Sequence, residues 1–250
     1  MTEDAAPRPA RPGSDDDPSL VGLVATAILD AELAALVWLL VEGGVPLVVA
    51  GPPERLGAAT QLLRGVLASV RADLAEATIA AGPLDRVGAW QLVRGGRSGA
   101  VLAGASLEDV RDVLSRAPFL LSPQELTFLG CVLVLGRRDD RRAGSLRVTA
   151  AHYVRPFARD AQGHPQELPP AVLATWDARL GRYEHFAWGV LPEIAARLGR
   201  RAGDLEADLH HRRDDIAGLA GAGITALDEV RRLVAGYRAA YGQGHAPAGH

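Results

Sequence analysis

The sequence predicts an α/β protein with a mostly parallel sheet, followed by a β-hairpin segment and a C-terminal helical region. Three observations carry this expectation. Short continuous apolar runs at Val45–Ala50, Ala100–Ala103 and Cys131–Leu135 have the pattern of strands covered on both faces. Helix-patterned chain with cap residues separates them. From Leu191 onward the pattern is helical.

The elements follow in chain order. Residues 2 to 18 mix Pro, Asp and Arg with no apolar core, so 1–18 is expected to be a disordered leader and not a signal peptide. Ser19 or Asp17 can cap a helix running to about Glu42, where Gly43-Gly44 stops it. Asp30 and Glu32 near the middle of the apolar stretch Leu20–Val41 favour a buried helix over a membrane span. Gly51-Pro52-Pro53 ends the first strand. A second helix is expected from about Gly57 to Ala80, with Leu62, Leu63, Val66, Leu67, Val70 and Leu74 on one side.

Trp90, Leu92 and Val93 suggest a short helix before the second strand. Ser106 with Asp109 opens a helix to about Arg116, and Ser122-Pro123-Gln124-Glu125 combines a cap, an N1 proline and an acid. Together 19–136 read as the α/β core. Within 137–190, Arg137–Gly144 reads as a charged turn and Leu146–Phe157 as β-like. Val172–Trp176 and Tyr183–Trp188 read as a hairpin across Arg179-Leu180-Gly181, the whole segment continuing the core sheet. Residues 191–242 form the helical region, with helices over Asp204–Leu219 and from Thr225 to about Tyr241; 243–250 is a polar tail.

Composition narrows the chemistry. The 250 residues carry a formal net charge of -3, which argues against a general nucleic-acid or membrane-surface binder. The lone Cys131 excludes an intrachain disulfide framework and points to a reducing compartment, so a cytoplasmic location is expected. All 27 basic Lys+Arg residues are arginine, and asparagine is absent as well. No reaction that needs a lysine ammonium or amine can occur within the chain.

The segment Val48-Val49-Ala50-Gly51-Pro52-Pro53-Glu54-Arg55-Leu56-Gly57-Ala58-Ala59-Thr60 has the order of a phosphate-binding loop: apolar strand, glycine turn, apolar helix. It resembles the P-loop NTPases, and the preceding Ile28–Gly44 makes it similar to the motor ATPases of type II/IV secretion and pilus assembly. Ala100–Val110 resembles that family's strand-and-helix histidine signature, and Asp228-Glu229-Val230-Arg231-Arg232 carries a weaker likeness. The resemblance spans about residues 20 to 135 and implies a truncated RecA-like core.

The family's chemistry is eroded. Anchored on Gly57, the lysine position is Ala58 and the hydroxyl position Ala59, with Thr60 one residue late; Gly51 to Gly57 is one residue too long. The threonine and histidine positions of the second signature are Val101 and Ala103. Between Thr60 and Ser106 only Asp73, Glu76 and Asp85 are acidic, and none closes an apolar strand. Losing cation, metal hydroxyl, metal acid and histidine removes the electrostatic stabilisation of phosphoryl transfer. The expectation is therefore a catalytically silent protein without a cofactor, structural or regulatory, working with a protein partner or as a homo-oligomer. It would bind no nucleic acid and insert into no membrane. Gly51, Arg55, Gly57, Ala58, Ala59 and Thr60 are its vestigial nucleotide-binding residues.

Two alternatives stay open. Arg55 and Thr60 can be recruited to the phosphates of ATP with Mg²⁺, although Arg55 precedes the helix and its planar fork differs from a lysine. An unrelated interaction module can instead use the aromatic cluster Trp176, Tyr183, Phe186 and Trp188, for which core packing is the simpler expectation. His152 and His185, with Asp177 and Glu184, are a candidate metal or acid–base group, weighed against ordinary packing. His210-His211 cannot face the same way on a helix and read as a solvated face. Cys131 reads as a buried strand residue.

Overall fold

A computed structural model describes residues 18–71, 84–137, 146–159 and 162–241. Positions 1–17, Asp73, Glu76, most of the charged turn and the tail from 242 lie outside the described residues.

The chain is α/β. Strands β1 (Leu47–Gly51), β2 (Gly99–Ala103), β3 (Cys131–Arg137), β4 (Leu146–Tyr153), β7 (Ala171–Asp177) and β8 (Arg182–His185) form one mixed sheet in the order β2-β1-β3-β4-β7-β8. A small hairpin, β5 (Ala158–Arg159) with β6 (Pro165–Gln166), stands apart. Parallel pairing is confined to the core strands β2, β1 and β3; the pairs β3–β4, β4–β7 and β7–β8 are antiparallel. The reason is connection length. β1, β2 and β3 are linked through helices, whereas β7 and β8 are joined by a tight turn in which Gly181 takes φ 65° and the Asp177 carboxylate accepts from the amides of Arg179 and Leu180.

Helices cover the sheet unequally. On one face lie α1 (Leu20–Ala25), α2 (Ala31–Glu42), α3 (Leu56–Val70), α7 (Leu191–Arg197), α8 (Ala202–Gly221) and α9 (Leu227–Tyr241), packed on the alternate residues Leu47, Val49, Leu133 and Val148. On the other lie α4 (Arg86–Val93), α5 (Leu107–Ser115) and α6 (Pro123–Leu126), packed on Val48, Ala50, Ala100, Leu102 and Val132. The wholly buried β1 therefore sits at the centre of a three-layer core, which accounts for its unbroken apolar run.

The helix expected over 19–42 is two helices. Ser19 caps α1, accepting from the Gly22 amide at 2.9 Å, and the chain then breaks at Thr26–Asp30 with Ala27 at φ 58°. Asp30 is not mid-helix: it is the N-cap of α2, accepting from the Leu33 amide at 2.9 Å. Aspartate competes with the backbone inside a helix and satisfies it at the start. The second helix, expected to run to about Ala80, ends at Val70, where Arg71 leaves the helical backbone at φ -121°, ψ 60°; 72–80 lies outside the described residues. The strand expected to reach Trp188 ends at His185. No helix among the described residues is long and apolar enough to cross a membrane.

Candidate functional site

The turn between β1 and α3 holds the sequence-predicted residues. β1 ends at Gly51, whose carbonyl accepts from the Gly104 amide at 3.0 Å, fastening it to the end of β2. Pro52 is extended at φ -61°, ψ 148°, and Pro53–Arg55 make one turn of 3-10 helix closed by the Arg55 amide on the Pro52 carbonyl at 2.8 Å. α3 begins at the next residue, with no side chain capping its first turn.

This path differs from a phosphate nest in ways the residues dictate. A nest is a row of backbone N–H groups facing one anion. Pro52 and Pro53 carry none, and their fixed φ holds the chain extended and then 3-10. Glu54 adds a negative charge on the same turn. Neither Gly51 nor Gly57 uses the left-handed backbone that glycine permits. Gly57 lies inside the first turn of α3, where an added Cβ would meet nothing within 4 Å, so no close approach there requires a glycine.

The remaining predicted residues are occupied by the helix itself. Ala58 is half-buried, and Ala59 is fully buried against the strand. The Thr60 hydroxyl donates to the Leu56 carbonyl at 2.8 Å, the back-bond typical of a threonine inside a helix. Arg55 is half-buried at the turn. Among the described residues the neighbouring strand ends add no acid: Gly51 pairs with Ala103, and Ala50 with Val134. Asp85 lies away from them, as the N-cap of α4, accepting from the Gly88 amide at 2.6 Å. Among the described residues no group of three His, Cys, Asp or Glu side chains is placed to hold a metal ion.

The histidines do not meet as the sequence suggested. His152, on β4, is half-buried, and burial lowers its pKa against the opposing charge of Glu108. His185 joins neither His152, Asp177 nor Glu184. Its Nε2 lies 2.8 Å from Asp30 Oδ2, and its Nδ1 lies 3.8 Å from Glu32 Oε1. Burial alone would disfavour the charged ring, but the hydrogen bond and charge of Asp30, with Glu32 behind it, outweigh this and raise its pKa. Beside it, the Tyr183 hydroxyl reaches the carbonyls of Ile28 at 2.9 Å and Val148 at 2.7 Å, and Arg147 lies over the Trp176 ring at 3.5 Å. The cluster fastens the α1–α2 elbow to the antiparallel end of the sheet.

The aromatic cluster divides in two. Trp176 and Tyr183 pack edge-to-face with centroids 5.2 Å apart, and Tyr183 is buried. Phe186 and Trp188 lie beyond the end of β8, and Trp188 is 77% exposed. The shared strand face expected of Phe186 and Trp188 does not form, because the chain turns into a 3-10 helix at Ala187.

A second charged group is not among those the sequence singles out. Arg212, 5% exposed, lies in the α2–α8–α9 seam and pairs with Asp208 at 2.8 Å and Glu42 at 2.5 Å. Its guanidinium stacks over Trp38 and Tyr237. Asp208 also accepts from Arg200 and Tyr237; burial opposes its charge, yet these donors hold its pKa below the ordinary aspartate value. Arg238 closes the seam by bonding to Glu42 and the Val70 carbonyl. The i, i+4 pair Asp208–Arg212 was the available signal, but its burial depends on α2.

No protein-family model matches the chain, and no curated protein matches it.

Proposed function

We propose that the chain is a catalytically silent relative of the P-loop ATPases of secretion and pilus assembly, built on a truncated RecA-like core. In this reading it is a cytoplasmic protein that acts by protein contact in a structural or regulatory role. The observation that carries the proposal is the β1–α3 turn, which keeps the order strand, glycine, turn, helix while two prolines remove backbone N–H donors that a phosphate would need. The missing lysine, the alanines at 58, 59 and 103 and the engaged Thr60 hydroxyl support the same reading. Hydrolysis of Mg-ATP by the purified full chain tests it. No turnover above background is expected; turnover that disappears in Arg55→Ala and Thr60→Ala would sink the silent reading and favour the recruited-residue alternative.

A second reading, an unrelated α/β interaction module, is favoured by the exposure of Trp188. Under it, Trp188→Ala removes partner binding and leaves the fold intact, because the ring lies outside the core.

A further inference from the structure

Helices α8 and α9 lie side by side yet are held apart through their middle. At one end the chain turns between them over residues 222–226; at the other, the Tyr237 hydroxyl donates to Asp208 at 2.5 Å and the rings of His211 and Tyr241 lie 6.1 Å apart. α8 packs on α1 and α2 and α9 on α3, which leaves between them a cleft of about 560 Å³. Leu20, Val21 and Trp38 contribute to its lining from α1 and α2, and Ile216, Leu219 and Val234 from α8 and α9. Apolar area of this kind is normally covered.

Three features of this surface complement one another. It has projections: Leu233, 44% exposed, and Tyr241, 68% exposed, stand on the α9 side. It has room to receive them: Gly218 and Gly236 line the cleft, and a Cβ at either would meet nothing within 4 Å. Its borders carry opposite charge, with Asp214 and Asp215 exposed on α8, Asp214 also paired with its neighbour Arg213 at 2.9 Å, and Arg232, its side chain 77% exposed and 4.0 Å from Glu229, on α9; exposed pairs of this kind are weak enough to exchange. An interface between two copies related by a two-fold rotation must be complementary to itself, and projection with recess and acid with base on paired elements meet that condition when α9 of each copy faces α8 of the other. A foreign partner would have to reproduce both halves of that pattern.

We propose that the α8–α9 cleft is a homodimer interface, occupied by α9 of a second copy of this chain, with Leu233 and Tyr241 entering the cleft and Arg232 meeting Asp214 and Asp215 across the rim. The arrangement is helix-in-groove recognition in reciprocal form. It stands on the cleft and not on the β1–α3 turn, so nucleotide binding would overturn the silent reading and leave the dimer untouched.

Sedimentation of the full chain over about 1 to 100 µM, a range that brackets a Kd of about 10 µM, tests it. The expected result is a mass rising to twice the 26.3 kDa of one chain. Arg232→Glu should raise the dissociation constant at least about tenfold, as should Asp214→Arg with Asp215→Arg, and combining the three changes should restore assembly. Gly236→Leu should abolish the dimer while keeping helix content and melting temperature, since leucine is a better helix former than glycine. A chain that stays monomeric throughout overturns the proposal, whether or not its own termini fill the cleft. So does a dimer whose dissociation constant is unmoved by both Arg232→Glu and Gly236→Leu.

Discussion

The imidazole of His185 and the carboxylate of Asp30 are separated by 155 positions in the chain and by 2.8 Å in the fold. Asp30 works twice in that contact: one oxygen caps α2 through the Leu33 amide and the other receives the histidine. The edge strand β8 thereby holds the start of the most buried helix.

This contact makes stability depend on pH in a definite direction. The folded-state pKa of His185 is raised, so its contribution is fully present below the unfolded value of about 6.5 and is lost as pH rises through the folded value. His185→Gln should cost about 1 kcal/mol in urea denaturation near pH 5.5 and less at pH 8. Asp30→Ala should remove the same pH dependence and add a cap loss of about 1 kcal/mol at every pH. An equal effect of His185→Gln at both pH values would refute the charged contact.

Arg212 should be the most costly polar side chain to remove. Its loss removes the cation that Asp208 and Glu42 share in the α2–α8–α9 seam; Arg200 and Tyr237 still reach Asp208 and Arg238 still reaches Glu42, so the cost should lie near the low end for a broken buried pair, about 3 kcal/mol. Arg212→Ala should lower the stability read from the urea midpoint accordingly, whereas Arg116→Ala, whose side chain is 74% exposed, should change it by less than about 0.5 kcal/mol. Similar midpoints for the two variants would contradict the seam as described.

Gly130 is the glycine whose backbone freedom the fold uses most plainly. It takes φ 74° just before β3, and a Cβ there would lie 2.7 Å from both the Pro46 carbonyl oxygen and Val45 Cγ1. Gly130→Ala should destabilise the protein by about 2 kcal/mol or more, while Gly57→Ala, in open space inside α3, should be neutral or stabilising. Thermal melts of the two variants check the contrast.

Cys131 should be inert in the native protein. Burial in the first position of β3 pushes its thiol up to about 12, so little thiolate exists at neutral pH. Reaction with an aromatic disulfide reagent should be slow in buffer and immediate in urea; rapid labelling of the native chain would place the thiol at the surface.

The order of the core was legible in the sequence because buried parallel strands and capped helices leave local signatures. Val45–Ala50, Ala100–Ala103 and Cys131–Leu135 are short apolar runs whose surroundings are apolar on both sides, and Ser106 and Ser122 announce their helices. The break at Thr26–Asp30 was hidden because leucine and valine continue on both sides of it; only the capping role of Asp30 marks it. The contacts of His185 and the burial of Arg212 depend on elements far away in the chain, so no spacing encodes them. In the β1–α3 turn the missing lysine was plain from composition, while the consequence of Pro52-Pro53 became visible only with the path of the backbone.

Equilibrium binding of Mg-ATP to the purified full chain, followed by calorimetry, tests the loss of phosphate binding at the β1–α3 turn most directly. With no backbone N–H at residues 52 and 53, no lysine and a Thr60 hydroxyl bonded to Leu56, titration into the millimolar range should give only the heat of dilution. Saturable binding with a dissociation constant below about 1 mM, weakened by Arg55→Ala or Thr60→Ala, would contradict it.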